Sequence, residues 1–232
     1  MILMVKDFKV NIAGNYIVDI DNFEFQKGYI YSIFGKSGEG KSTFLKALGS
    51  LITYEGSIYL NGEIAEKRYP KEELRKKVHY IKQTPEFIPG SVIFNLKYIF
   101  SFKVNKGIYF DEDYLFELLE RFSLSRELLD KEVKNLSGGE KQRMSIIRSL
   151  MIRPEFVLLD EPTSALDIHT EGLLIDFLRS ISKDIGVVVV THSPNMIMES
   201  DVRLYFEKGG LSLVENRIGI DAIKSMLGGQ IQ

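Results

Sequence analysis

The stretch Gly35-Lys36-Ser37-Gly38-Glu39-Gly40-Lys41-Ser42 limits what this chain can fold into more than any other feature. It fits G-x-x-x-x-G-K-[ST] and lies between an apolar run at 29–34 and a helical pattern from 41 to about 51. Glycines at that spacing let the backbone wrap closely around an anion, with N–H groups pointing inward. The helix that follows adds its positive N-terminal end. In this reading Lys41 reaches the β- and γ-phosphates of a nucleotide as a point charge, and the Ser42 hydroxyl ligates Mg²⁺. Candidate cradle residues run from Gly35 through Lys36, Ser37, Gly38, Glu39, Gly40, Lys41 and Ser42 to Thr43. A glycine-rich turn that matches by chance is the competing reading, and the flanking strand and helix argue against it.

The rest of the chain reads as strands alternating with helices, which argues for an α/β fold with a mainly parallel sheet. Residues 7–12 and 16–25 alternate as strands around a turn at Ala13-Gly14-Asn15, and 56–60 read as an antiparallel strand closed by Asn61-Gly62. A short strand is expected at 78–82 and a loop at 83–90, where Pro85, Pro89 and Gly90 fall. From 92 to 134 the pattern is mostly helical, with Leu115, Leu118, Leu119 and Phe122 on one face. Continuous apolar runs at 156–159 and 187–190 read as central parallel strands, and 201–214 as a terminal hairpin around Gly209-Gly210. The expected organisation is one domain. Residues 1–83 and 153–232 form a catalytic core with an antiparallel β lobe, and 84–152 form a helical subdomain.

Composition removes several function classes. Thirty basic residues against 32 acidic ones give a net charge of −2, which excludes a strongly basic nucleic-acid binder. Cysteine is absent, so a disulfide scaffold, a zinc–thiolate site, an iron–sulfur cluster and a cysteine nucleophile are excluded. With only His79, His169 and His192, a histidine-rich metal centre is not expected. No apolar run approaches the roughly 20 residues that a membrane span needs. The first residues are too short for a signal-peptide core, so the chain is expected in the cytosol.

Two further strings carry chemistry. Phe156-Val157-Leu158-Leu159-Asp160-Glu161 is an apolar strand ending in two carboxylates. Neighbours on a strand point to opposite sides, so the two acids are expected to do different jobs. Asp160 is assigned to the metal and Glu161 to an attacking water; a solvated strand end is the plain alternative. In Leu136-Ser137-Gly138-Gly139-Glu140-Lys141-Gln142-Arg143, Ser137 and Glu140 have the spacing of a capping box. A plain cap does not need Gly138 and Gly139, which cost the helix roughly 1 kcal/mol each. A phosphate approaching the backbone does.

Taken together, these strings resemble the ATP-binding subunits of ABC transporters. That family pairs a P-loop with an LSGGQ-like signature, here residues 136–140 with glutamate in the last place. The order also matches. The P-loop is followed by Gln83 after a strand, the signature, the acidic strand end, Ser164-Ala165-Leu166-Asp167, and His192 after the 187–190 strand. The resemblance covers essentially the whole chain and implies a P-loop NTPase core, with ATP and Mg²⁺ as ligands. It implies that two cassettes pack head to tail, each ATP lying between one chain's P-loop and the other chain's Ser137, Gly138, Gly139 and Glu140. It implies that Gln83 contacts Mg²⁺ or the attacking water and reports on the membrane subunit. His192 would hold the γ-phosphate and the water. The family's adenine-stacking aromatic falls near Val10, and Tyr16 is favoured over Phe8, with plain strand residues as the alternative. The apolar run 87–102 beside Gln83 is expected to dock a transmembrane permease, holding the chain on the inner face of the cell membrane; a core helix would look the same. The likeness within the family is to the ATPases of iron-exporting systems, the alternative being a soluble ABC ATPase of iron–sulfur cluster assembly.

Overall fold

The computed structural model describes residues 1–215 and 217–228. In chain order it builds β1 (Ile2–Ile12), β2 (Asn15–Gln26), β3 (Ile30–Phe34), α1 (Lys41–Leu48), β4 (Glu55–Leu60), β5 (Glu63–Ile64), α2 (Ala65–Arg68), α3 (Lys71–Lys77) and β6 (Val78–Ile81). Then come α4 (Val92–Tyr98), α5 (Glu112–Arg121), α6 (Gly138–Leu150), β7 (Phe156–Asp160), α7 (Ile168–Ser182), β8 (Gly186–Val190), α8 (Pro194–Glu199), β9 (Val202–Glu207), β10 (Gly210–Val214) and α9 (Ile220–Met226). A six-stranded sheet runs β10-β9-β3-β8-β7-β6, parallel except for its β10 edge. A separate antiparallel sheet runs β2-β1-β4-β5.

The central strands are buried on both faces, which is why they read as unbroken apolar runs. Their residues divide with period two. Val157, Leu159, Val187 and Val189 pack into a cluster with the helices of residues 92–181. Phe156, Leu158, Val188 and Val190 pack into a second cluster with α1 and the antiparallel sheet. Asp160 continues the second series, so the strand's own alternation aims it at α1.

β1 starts at Ile2, well before the expected residue 7. Buried positions fall at Leu3 and Val5, then at Phe8 and Val10, so the period-two pattern jumps phase by one. Asp7 sits at the jump with φ 50°, where the pairing with β4 shifts register. A bulge of this kind hides half a strand from a search for alternation. The 92–134 stretch is less helical than expected: between and after α4 and α5 the chain makes 3₁₀ turns at 99–101, 103–105, 126–130 and 133–135. Helices α2 and α3 lack an apolar face, burying only Ala65 and Leu74. Their sequence signal is charge spacing, with Glu72 and Glu73 four residues before Lys76 and Lys77.

Candidate functional site

Parallel strands put their C-terminal ends at one edge, where α/β sheets bind ligands. Here β3 leads into Gly35, β6 into Gln83, β7 ends at Asp160 with Glu161 following, and β8 leads into Thr191 and His192. The topology, more than any single motif, gathers these residues.

The loop 35–40 is tight. A Cβ on Gly35 would meet the Phe206 carbonyl oxygen at 2.3 Å. Gly40 caps α1 at φ +107°, and a Cβ there would meet the Ile17 side chain at 2.6 Å. Lys41 is 5% exposed and folds back into the loop, donating from Nζ to the carbonyl oxygens of Gly35 at 2.9 Å and Lys36 at 2.7 Å. Burial lowers its pKa, opposed by the carboxylates of Glu161, Glu39 and Asp160. The Glu39 carboxylate turns away to accept the Lys208 N–H at 3.2 Å. Lys36, Ser37 and Gly38 complete the rim, and Ser42 and Thr43 lie in the first turn of α1.

Asp160 receives two hydroxyls. Ser42 Oγ donates to Oδ1 at 2.8 Å and Tyr80 Oη donates to Oδ2 at 2.8 Å. Burial and the neighbouring carboxylate raise the Tyr80 pKa, keeping the phenol protonated. Glu161 is not on the strand. It lies one residue past β7 with φ 47°, its N–H donating to the Val190 carbonyl at 2.8 Å. The two acids diverge because the chain turns left-handed between them, rather than through strand alternation. The Glu161 carboxylate lies between Gln83 and His192. Gln83 Nε2 donates to Oε2 at 3.4 Å, and His192 Nε2 is 3.5 Å from Oε1. Burial chiefly, and then the Lys41 charge, lowers the His192 pKa against the pull of Glu161, so its imidazole is neutral at pH 7.

Ser42, Asp160 and Gln83 offer hard oxygen donors, and the described residues contain no cluster of three His, Asp or Glu that could cage a metal. That donor set fits Mg²⁺, which keeps waters and phosphate oxygens in its shell and does not require an all-protein cage.

Ser137 and Glu140 close a full capping box on α6. Glu140 N–H donates to Ser137 Oγ at 3.2 Å, and Ser137 N–H to Glu140 Oε2 at 2.7 Å. The Ser137 backbone N–H holds the Glu140 carboxyl below its ordinary pKa. Gly138 and Gly139 face the 164–167 loop, where their added Cβ atoms would meet Ala165 at 3.9 Å and Leu166 at 3.4 Å. Ser137 and Gly138 are exposed, and the described hydrogen bonds of 137–140 stay within α6 and do not reach the cradle. Tyr16 opens β2 beside Ile17, which packs on Gly40. Its ring is 53% exposed, with the Glu55 carboxylate 3.4 Å from its hydroxyl and Lys9 Nζ 5.6 Å from its centroid. Phe8 and Val10 are buried in the core.

Beside Gln83 lies a groove of about 610 Å³, lined in part by His79, Phe87, Ile88, Tyr98, Phe102 and Arg148. Within 87–102 the side chains divide: Val92 and Leu96 are core, whereas Phe94, Tyr98 and Phe102 form an exposed aromatic row. Tyr80 and Ser164, whose hydroxyl donates to the Glu161 carbonyl at 3.0 Å, were not foreseen for these contacts. Tyr80 stands three residues before Gln83 on a strand, a position that carries no chemical signal until the neighbouring strand is known.

Residues 18–164, more than half of the chain, match the ABC transporter family. The chain is 38% identical over 194 residues to the probable iron export ATP-binding protein FetA of Escherichia coli K12, covering 82% of this chain and 84% of that one. It is 35% identical over 204 residues to the energy-coupling factor transporter ATP-binding protein EcfA1 of Thermotoga maritima, covering 84% and 74%. The ATP-binding cassette MJ0796, solved as a dimer in a post-hydrolysis state with ADP and Pi, superimposes with a TM-score of 0.78 at 28% identity, over 94% of this chain and all of that one. On the fold, the converging strand ends and these matches, the chain belongs to the ABC transporter ATP-binding family and is an ATPase subunit that hydrolyses ATP to drive transport.

Proposed function

We propose that residues 35–43 hold the phosphates of ATP, with Lys41 on the β- and γ-phosphates, and that Tyr16 carries the adenine. Ser42, Asp160 and Gln83 hold Mg²⁺, which when bound neutralises phosphate charge. Glu161 takes the proton of the attacking water, and neutral His192 orients that water and the γ-phosphate. The observation that carries this reading is the convergence of Gln83 and His192 on the one Glu161 carboxylate, 3.4 and 3.5 Å away. Ser137, Gly138, Gly139 and Glu140 act on the ATP of a second copy; the dimeric MJ0796 supports this arrangement. The chain divides into a core of 1–83 with 153–232 and a helical part of 84–152. No helix among the described residues is long and apolar enough to cross a membrane. In this reading transport proceeds through a permease docked in the groove beside Gln83, which keeps the cassette peripheral on the inner face of the membrane. The cargo we propose is a metal ion, iron, expelled from the cell, with the likeness to FetA in support.

Glu161→Gln tests the reading, because it keeps the shape and removes the base. Turnover should fall roughly 10²–10⁴-fold while ATP still binds, and the ATP-bound dimer should persist on size exclusion. Cells carrying only this variant should become sensitive to excess iron. Unchanged turnover removes Glu161 from the chemistry; lost turnover with unchanged iron tolerance removes iron as the cargo.

A further inference from the structure

Tyr80 belongs to none of the motifs, yet it makes one of the two hydroxyl contacts to Asp160. The parallel register sets Tyr80 of β6 opposite Leu158 of β7. Residues two apart on a strand share a face, so Tyr80, Leu158 and Asp160 all look toward α1. At that distance a phenol is long enough to reach the strand end, and Tyr80 Oη meets Asp160 Oδ2 at 2.8 Å. Ser42 Oγ meets the other oxygen, Oδ1, at 2.8 Å. At the root of the side chain Gly49 packs closely: a Cβ there would stand 3.3 Å from the Tyr80 Cβ. Each carboxylate oxygen therefore has one assigned donor, and the rotation of the Asp160 side chain is set from both sides.

We propose that Tyr80 is a positioning residue for Mg²⁺, fixing the Asp160 carboxylate beside the Ser42 hydroxyl, the two groups that would hold the metal. The proposal rests on the reading above that Ser42 and Asp160 hold Mg²⁺. Hydrogen-bond partners of this kind orient metal-ligating carboxylates, and their loss weakens metal affinity by about 10–100-fold. Without the phenol, Oδ2 has no donor among the described residues, and the carboxylate gains freedom to turn away from Ser42.

The test is Tyr80→Phe in the full chain, which keeps the ring and its packing. ATP binding is followed by calorimetry across a Mg²⁺ series and in EDTA, with thermal unfolding in parallel. The Mg²⁺ concentration for half-maximal enhancement of ATP binding should rise about tenfold or more. Affinity in EDTA should stay as in the native chain, while the unfolding temperature falls by the few degrees that one lost buried hydrogen bond costs. An unmoved Mg²⁺ midpoint overturns the proposal. So does an equal loss of affinity in EDTA, which would make Tyr80 a packing residue only. Asp160→Asn separates this from the underlying reading. If Asp160→Asn leaves the Mg²⁺ dependence intact, Asp160 does not serve the metal and the proposed function fails at that point, whatever Tyr80→Phe does.

Discussion

His79 is held neutral by its surroundings. Burial chiefly, and the nearby Arg148 charge, lower its pKa to about 4, against a hydrogen bond between Nδ1 and the Arg75 carbonyl at 3.3 Å. In the unfolded chain the imidazole titrates at its ordinary 6.5. Below that pH the unfolded state takes up a proton that the native state refuses, so stability is full above pH 6.5 and falls as pH drops toward 4. Between pH 6.5 and 5 this amounts to about 1.5 kcal/mol. Urea unfolding at the two pH values should show that loss, and His79→Gln should remove most of it; an equal loss in the variant would assign it to other groups. Glu161 gives the residue-scale lesson about legibility. Its place as a candidate beside Asp160 is readable in the sequence, but the left-handed backbone that separates the two acids is not, because no residue type announces φ 47° in a glutamate.

Helix α4 and the loop before it form one wall of the groove. Asn95, buried on α4, clamps that loop: it accepts the Ile88 N–H at 2.9 Å and donates to the Ile88 carbonyl at 2.9 Å. The Ile88 side chain is left 37% exposed on a fixed backbone. Arg148 holds the next turn, donating to the Glu86 carbonyl at 2.9 Å with its guanidinium 4.6 Å from the Phe87 ring centroid. A charge at Ile88 therefore has water in the isolated chain but would lose it beneath a docked permease segment. Burying it unpaired costs several kcal/mol, enough to break a micromolar complex. Ile88→Asp should leave the ATPase activity of the purified chain unchanged while recovery with membranes and transport fail. Preserved membrane recovery would move the docking surface elsewhere. Periodicity saw one apolar stretch here; the division into core residues and an exposed aromatic row depends on which side α6 covers.

At the scale of the whole molecule, the signature and the cradle lie on different parts of the chain, and α6 presents an exposed capped end. Ser137→Arg should leave ATP binding to the monomer intact and abolish dimerisation and hydrolysis. Mixing it with Lys41→Ala chains should restore at most one composite site per dimer. Normal hydrolysis by Ser137→Arg alone would show that the site is not shared between copies.

The strand–cradle–helix unit, the apolar β7 and β8, the capping box of α6 and the terminal hairpin were all legible in the sequence, because each is specified by local chemistry: glycines for a tight turn, unbroken apolar runs for strands buried on both faces, serine and glutamate three apart for a cap. Tertiary structure alone decided the rest. Strand order brought the ends of β3, β6, β7 and β8 to one edge, register placed Tyr80 against Asp160, and the bulge at Asp7 joined two out-of-phase halves into one strand. Strand order and register are properties of pairs of segments apart in the chain, from Phe156 opposite Gly186 to Ile30 opposite Val187, and the Asp7 bulge shows its purpose only against β4. A sequence read along one chain holds each partner but not the pairing.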